Sequence, residues 1–450
     1  MKRTCVAIIL ILVFMLTGAM PVFAAPKDPV TMSQAALLMD AKTGKVLYEK
    51  NSTAQIPPAS LTKIVTCIIV LEELDMDHKV TIPAEATGFQ GNNIALVEGE
   101  VLTVEQLLNA TMVYSANDAA VALAIEVSGS EAEFVKKMNE KVKSWGATHT
   151  NFLNCNGFTE STEHTSTAQD LAIITEEALK NKTFRQLVAK KSYTVPATNK
   201  SDERKLTSTN RLLFDEETKI VVDGKERTPK YKGAFGIKTG MMLSSGYCFI
   251  AGAKRKDTEL IAIVLKDEKE IDRFTDAITL LDFGFKNYHT YEVMAPGADT
   301  GKVKVKNGSQ TRVKTQVTHG AYVTLPREGL ESLAGSKVIL KDNIKAPIKK
   351  GTKVGVVELY EGDQKVGTAD VTITRTVKKG GPWTAIYISD FTAYTVFGVI
   401  AFIIIAFIFL IWRKRKLMRI REEQRRRRRE EKARQIAAIR EEKRRRDWPY

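Results

Sequence analysis

Three short strings, Ser60-Leu-Thr-Lys63, Ser115-Ala-Asn117 and Lys238-Thr-Gly240, occur in that order in this chain. If they serve one site, the fold must carry three distant segments to a single cleft. The first string supplies a nucleophile and a base, because residues at i and i+3 on a helix share a face within contact reach. Pro57 and Pro58 precede the serine, and Leu61, Ile64, Val65, Ile68, Ile69 and Leu71 follow at helical spacing. Ser60 is therefore expected at a helix start, where developing negative charge is favoured. The constellation reads as an acylating serine site.

A lysine base must be neutral to work. Free lysine titrates near pH ~10.4, so bringing Lys63 to about 7 means disfavouring its charged form by ~4 to 5 kcal/mol. Burial on the apolar helix and a second cation, Lys238, across the cleft are two ways to achieve this.

A second K-T-G, Lys42-Thr43-Gly44, lies between Ala-Leu-Leu and Val-Leu-Tyr and reads as a hairpin turn. Lys238 instead follows Gly236-Ile237. The strand-like runs 247–253 and 260–265, separated by the polar turn 254–257, come after it. This K-T-G is expected at the start of a sheet.

In order, spacing and context the motifs resemble those of the serine-type D-alanyl-D-alanine carboxypeptidases, the low-molecular-mass penicillin-binding proteins of peptidase family S11, relatives of the class A β-lactamases. The resemblance runs from about Ala35 to about Val377, with further similar stretches at 40–51, 114–119, 165–171, 208–213 and 236–247. It implies an α/β (α+β) catalytic domain of the serine β-lactamase/DD-peptidase type over residues 25–290. In that domain Ser60 would be the nucleophile, Lys63 the general base and Ser115 the relay of a proton toward the leaving D-alanine. Asn117 would hold the substrate's backbone amide, and Lys238 and Thr239, with Gly240 beside them, would bind the terminal carboxylate. The backbone N–H groups of Ser60 and Met241 would form the oxyanion hole, where side-chain identity at 241 matters little. Arg273, in the helix-like stretch 273–285, is offered as a second carboxylate contact; the alternative is a solvated helix charge. Met241-Met242 is more apolar than the polar or His residue usual after this motif. The implied partners are peptidoglycan stem peptides as substrate and β-lactams as covalent inhibitors at the same serine.

The rest of the chain suits an exported, anchored enzyme. At 450 residues and 44% hydrophobic it can bury one large core and a smaller second one. Lys2-Arg3, the apolar run 6–16 and Val22-Phe23-Ala24 form a signal peptide over residues 1–24, with cleavage after Ala24. Cys67, Cys155 and Cys248 show no paired spacing, so no disulfide framework is expected. His78, His149, His164, His289 and His319 lack ligand spacing, and neither a metal nor another cofactor is expected.

Residues 291–380 change character. Short valine-rich runs at 303–305, 313–317, 354–357 and 371–374 read as the strands of a small all-β sandwich, which the resemblance implies is a spacer from the membrane. Residues 391–412 carry no charge over 22 positions, about 33 Å as a helix and long enough to span a bilayer. Trp383, Tyr387 and Tyr394 lie at one end and Trp412 at the other. The tail, 413–450, holds 18 of the Lys and Arg residues against seven Asp and Glu, so +11 of the net +15 sits there. The positive-inside rule places that tail in the cytoplasm, against anionic lipid, and the enzyme outside, as a single-pass protein of the cell membrane. No nucleic-acid role is needed to explain the arginines.

Two alternatives accompany this reading. A β-lactamase would need a carboxylate to activate the deacylating water, and Glu176 and Glu177 lack the pattern of such a loop. A non-hydrolytic β-lactam or muropeptide sensor would signal through the helix and the basic tail.

Overall fold

The computed structural model describes residues 27–327 and 334–446; the expected signal peptide lies outside them. Two compact units are formed, the first drawn from Met1–Ala295, Gly320–Lys337 and Glu358–Thr368 and the second from Pro296–His319, Val338–Val357 and Ala369–Tyr450.

In the first unit, strands β1 (Ala35–Asp40), β2 (Val46–Lys50), β3 (Ala234–Met242), β4 (Gly246–Arg255) and β5 (Thr258–Asp267) form one antiparallel sheet in the order β2-β1-β5-β4-β3. Successive side chains point to opposite faces, and both faces are covered. Ala35, Leu37, Met39, Ile250, Ile261 and Ile263 share a core with helices α1 (Lys63–Glu73), α2 (Val104–Asn109), α3 (Asn117–Ser128), α4 (Glu131–Trp145), α5 (Ala168–Leu179) and α6 (Lys182–Val188). Ala36, Leu38, Phe249, Ala251, Ala262 and Val264 pack instead with α7 (Asp272–Asn287). Double coverage is why β1 is buried at all six positions and reads, up to the closing Asp40, as an apolar run rather than an alternating one. α7 lies close on the sheet because Gly284 has no side chain: a β-carbon there would fall 2.5 Å from Leu260 and 2.9 Å from Leu38.

Lys42-Thr43-Gly44 is the turn between β1 and β2. Asp40 Oδ1 accepts the N–H groups of Lys42 and Thr43, and Gly44 takes φ +69°. The strand Tyr288–Met294, which directly follows α7, pairs with Ala321–Pro326 inside this first unit. The sheet-forming sequence beyond residue 290 is thus shared between the two units.

In the second unit Asp299–Lys306 pairs antiparallel with Arg312–Val317, which continues onto residues 371–373; Val305 and Lys306 pair in parallel with Ile344 and Lys345. Val303, Val305, Val313, Val317, Val371 and Ile373 are buried, the inward-facing members of these strands.

Helix α8 (Asp390–Arg446) carries the uncharged run and the basic tail as one element of 57 residues. It is the one described helix long and apolar enough to cross a membrane, and no residue of its most apolar 18-residue window is buried inside the structure. Its start is fixed by Asp390, whose Oδ1 accepts from the Gly381 N–H (2.9 Å) and the Trp383 indole (2.8 Å). The Trp383 ring meets Tyr394 and Phe397 edge-on.

Candidate active site

The serine turn is built before the helix proper. Ala59–Thr62 forms a single 3₁₀ turn, and α1 begins at Lys63, so Ser60 stands one turn ahead of the expected α-helical start. Ala59 takes φ +48°, a conformation that side chains disfavour and that persists only where neighbours enforce it. Thr62 Oγ1 donates to Ala59 O at 2.8 Å and lies 2.8 Å from His164 Nε2. The Leu153 N–H donates to His164 Nδ1 at 3.0 Å, which assigns the ring proton to Nε2 and makes His164 the donor to Thr62. Burial, then the charge of Lys63, lowers His164 to about 4, so the ring is neutral.

Lys63 is fully buried. Its Nζ lies 2.6 Å from Asn156 O, 2.7 Å from Asn117 Oδ1 and 2.9 Å from Ser60 Oγ. In its neutral form the amine has two hydrogens and one lone pair: the two carbonyl oxygens would take the hydrogens and leave the lone pair for the serine hydroxyl. Burial lowers Lys63 to about 7, against the opposing pull of Cys155 and Asp118. Desolvation therefore accounts for the shift, and the anticipated help from a second cation falls elsewhere. It is Lys238 that is pushed well below the ordinary lysine range, by burial first and then by Lys63 and Arg273.

Ser115 follows one π-helical turn, Ala110–Tyr114, and takes φ +69° just before α3 begins at Asn117. Its Oγ lies 2.8 Å from Lys238 Nζ, which also donates to Thr239 O. Asn117 Nδ2 donates to Gln90 O, which orients Oδ1 toward Lys63. Thr239 Oγ1 pairs with Thr209 Oγ1 at 2.6 Å.

Strand β3 lies at the sheet edge, and Gly240 lets it close on the serine turn. A β-carbon at 240 would stand 3.0 Å from Pro58 O and 3.3 Å from Ser60 N. The peptide bearing the Met241 N–H is thereby set against the turn bearing the Ser60 N–H.

These residues meet at a cleft of about 670 Å³ whose lining includes Ser60, Ser115, Asn117, Thr239, Gly240, Met241 and Arg273. Arg273 is 6% exposed, so the solvated-charge alternative fails. Its Nη1 donates to Gly240 O (3.3 Å), its Nη2 reaches Glu270 Oε1 (3.4 Å), and the guanidinium lies over the Tyr247 ring. Glu176 and Glu177 lie on α5, away from the cleft lining: Glu177 pairs with Lys180, and Glu176 borders Gly44 of the β1–β2 turn. Cys67, Cys155 and Cys248 are free and buried.

Several contributors carry no motif. Asn156 acts through its backbone carbonyl, which no side-chain pattern reveals. His164 acts through Thr62. Thr209 and Arg211 lie in the stretch 208–213 that the resemblance includes, and Glu270 stands three residues before Arg273, a spacing that could have flagged it.

Comparison with known proteins gives a family match over residues 23–269, described as D-alanyl-D-alanine carboxypeptidase, and a second over 288–379, the penicillin-binding protein 5 C-terminal domain. The D-alanyl-D-alanine carboxypeptidase DacF of Bacillus subtilis is 34% identical over 85% of this chain and 96% of its own length. DacC of Escherichia coli is 29% identical over 82% and 90% respectively. The crystal structure of penicillin binding protein 5 from Haemophilus influenzae matches with a TM-score of 0.62 at 26% identity, covering 79% of this chain and all of that one.

Proposed function

The chain belongs to the S11 family of serine-type D-alanyl-D-alanine carboxypeptidases, and we propose that it carries out that reaction with Ser60 as nucleophile, Lys63 as base and Ser115 as proton relay. The observation that carries this assignment is the fully buried Lys63 Nζ 2.9 Å from Ser60 Oγ, with two carbonyl oxygens to take its hydrogens. A base titrating near 7 is matched to work at neutral pH.

Ser60 Oγ attacks the carbonyl carbon of the penultimate D-alanine as Lys63 takes the hydroxyl proton. The N–H groups of Ser60 and Met241 hold the oxyanion. Collapse breaks the C–N bond, and Ser115, whose Oγ lies 2.8 Å from Lys238 Nζ, hands the leaving amine a proton that the one taken up by Lys63 replaces. Water then cleaves the Ser60 ester and restores the free hydroxyl. Lys238, Thr239 and Arg273 meet the substrate's terminal carboxylate. That anion brings a counter-charge to Lys238, whose charged form is disfavoured by burial and by the neighbouring Lys63 and Arg273. Asn117, held on both sides, presents its amide to the acyl portion of the substrate.

Peptidoglycan stem peptides are the substrate class of the family, and β-lactams are read as covalent inhibitors at Ser60. Residues 25–290 are assigned to the catalytic domain and 291–380 to the sandwich. Residues 391–412 are assigned to a single membrane span that follows a cleaved signal peptide. The 18 basic residues beyond the span, an excess of 11 over the acidic ones, support a cytoplasmic tail and an extracytoplasmic enzyme. The sensor reading finds no supporting contact among the described residues.

Labelling of the membrane-bound protein with a fluorescent penicillin tests the nucleophile. A Ser60-dependent covalent band is expected, and labelling that persists in Ser60→Ala overturns the assignment.

A further inference from the structure

Two carboxylates line the cleft, Glu160 and Glu270. Glu270 is engaged by cations, its Oε1 3.2 Å from Arg211 and 3.4 Å from Arg273. Glu160 is exposed and forms no ion pair among the described residues; its Oε2 accepts the Ser244 N–H at 3.1 Å. The surface around it is apolar. Phe158, Met241 and Leu243 line the same cleft and are 38%, 52% and 92% exposed. An open apolar wall with a lone carboxylate complements a side chain that is aliphatic along its length and cationic at its tip.

The position along the substrate follows from Asn117. A β-carbon on Gly91 would stand 3.0 Å from the Phe158 ring and 3.1 Å from Asn117 Nδ2, so Phe158 borders the residue assigned to the substrate's backbone amide. The Glu160 rim therefore adjoins the acyl portion, while Lys238 and Arg273 take the C-terminal carboxylate. The cleft is cationic at one end and anionic at the other.

We propose that Glu160 is a specificity-determining residue that binds the terminal ammonium of a long diamino side chain in the residue preceding D-Ala-D-Ala, with Phe158, Met241 and Leu243 packed along its methylene groups. The inference rests on the carboxypeptidase reading above. It also gives the apolar pair Met241-Met242 a partial purpose, since Met241 supplies wall as well as backbone.

The test uses the full-length chain in detergent and two peptides, one ending in Lys-D-Ala-D-Ala and the other in Nε-acetyl-Lys-D-Ala-D-Ala, with D-alanine release as readout. The wild type is expected to prefer the free amine by roughly three- to tenfold in kcat/KM, carried by KM, the range of an exposed charge-assisted contact. Glu160→Gln should bring the free-amine peptide down to the acetylated one and leave the acetylated one within about twofold of wild type. Glu160→Asp should restore part of the preference. A preference unchanged in Glu160→Gln overturns the proposal. An equal fall for both peptides also overturns it, since Glu160 would then act only by supporting the Ser244 turn. If the wild type releases D-alanine from neither peptide, the carboxypeptidase reading fails and takes this proposal with it.

Discussion

Lys238 Nζ lies 2.8 Å from Ser115 Oγ across 123 residues of sequence, at the floor of a cleft where Lys63 already holds Ser60. Two buried lysines thus attend two serines, and Lys63 and Arg273 add to burial in disfavouring the charged form of Lys238. A substrate that brings its own carboxylate to this cluster supplies the missing counter-charge, which ties recognition of the C-terminus to the protonation state of the catalytic groups.

The titration of Lys63 sets the acid side of the pH profile. With the amine lowered to about 7, the protonated form cannot accept the serine proton. Acylation by penicillin should fall about tenfold per pH unit below ~7 and level off above it. Stopped-flow or quench measurement of the acylation rate from pH 5 to 9 checks this; a flat profile would contradict a lysine base.

His164 should make the fold acid-sensitive. Its folded value of about 4 lies below the unfolded ~6.5, so between these values the unfolded chain binds more protons and stability rises with pH. Acidification from 6.5 to 4 should remove roughly 3 kcal/mol from this residue alone. His164→Leu should flatten that acid limb in thermal melts. It should also destabilise the protein near neutral pH by about 1 to 3 kcal/mol, because the Leu153 N–H loses its acceptor. Acylation should fall as well, because the Ala59 turn loses its brace.

Much of the site was legible because the chemistry demands particular side chains. The roles proposed for Ser60, Lys63, Ser115 and Lys238 call for hydroxyl and amine side chains, which few residue types supply, and their spacing survives in one dimension. His164 left no such trace: it reaches the serine turn through Thr62, over 102 residues, and it stands just outside the similar stretch 165–171. The cause of the Lys63 shift was only half visible, since the apolar helix announces burial whereas the direction in which Lys63 and Lys238 affect one another depends on depth. The strands beyond residue 290 were readable from their valine runs. That Tyr288–Met294 pairs within the first unit was not, because strand pairing is settled by tertiary contact rather than by alternation.

Gly240 is the position where a single methyl group should separate stability from activity. Gly240→Ala introduces a carbon 3.0 Å from Pro58 O, forcing β3 away from the serine turn and opening the pair of N–H donors. A displacement of this kind is expected to lower kcat on the order of a hundredfold. Melting temperature, set by the large sheet core, should change little. Retention of full activity would remove the close approach from the account.

Arg273 should discriminate at the substrate's C-terminus. Arg273→Gln is expected to raise KM for a D-Ala-D-Ala peptide by roughly ten- to a hundredfold, the worth of a charged hydrogen bond. The analogous C-terminal amide, already a poor substrate, should be little affected. Equal losses on the acid and the amide would reduce Arg273 to a support for Glu270 and Gly240.

The central claim is turnover through Ser60. The full-length chain, purified in detergent and given a peptide ending in Lys-D-Ala-D-Ala, should release many equivalents of D-alanine per protein, and Ser60→Ala should release none above background. Undiminished release by Ser60→Ala would contradict the acyl-enzyme on this residue, and a wild type that binds penicillin covalently yet frees no D-alanine would contradict the enzyme itself.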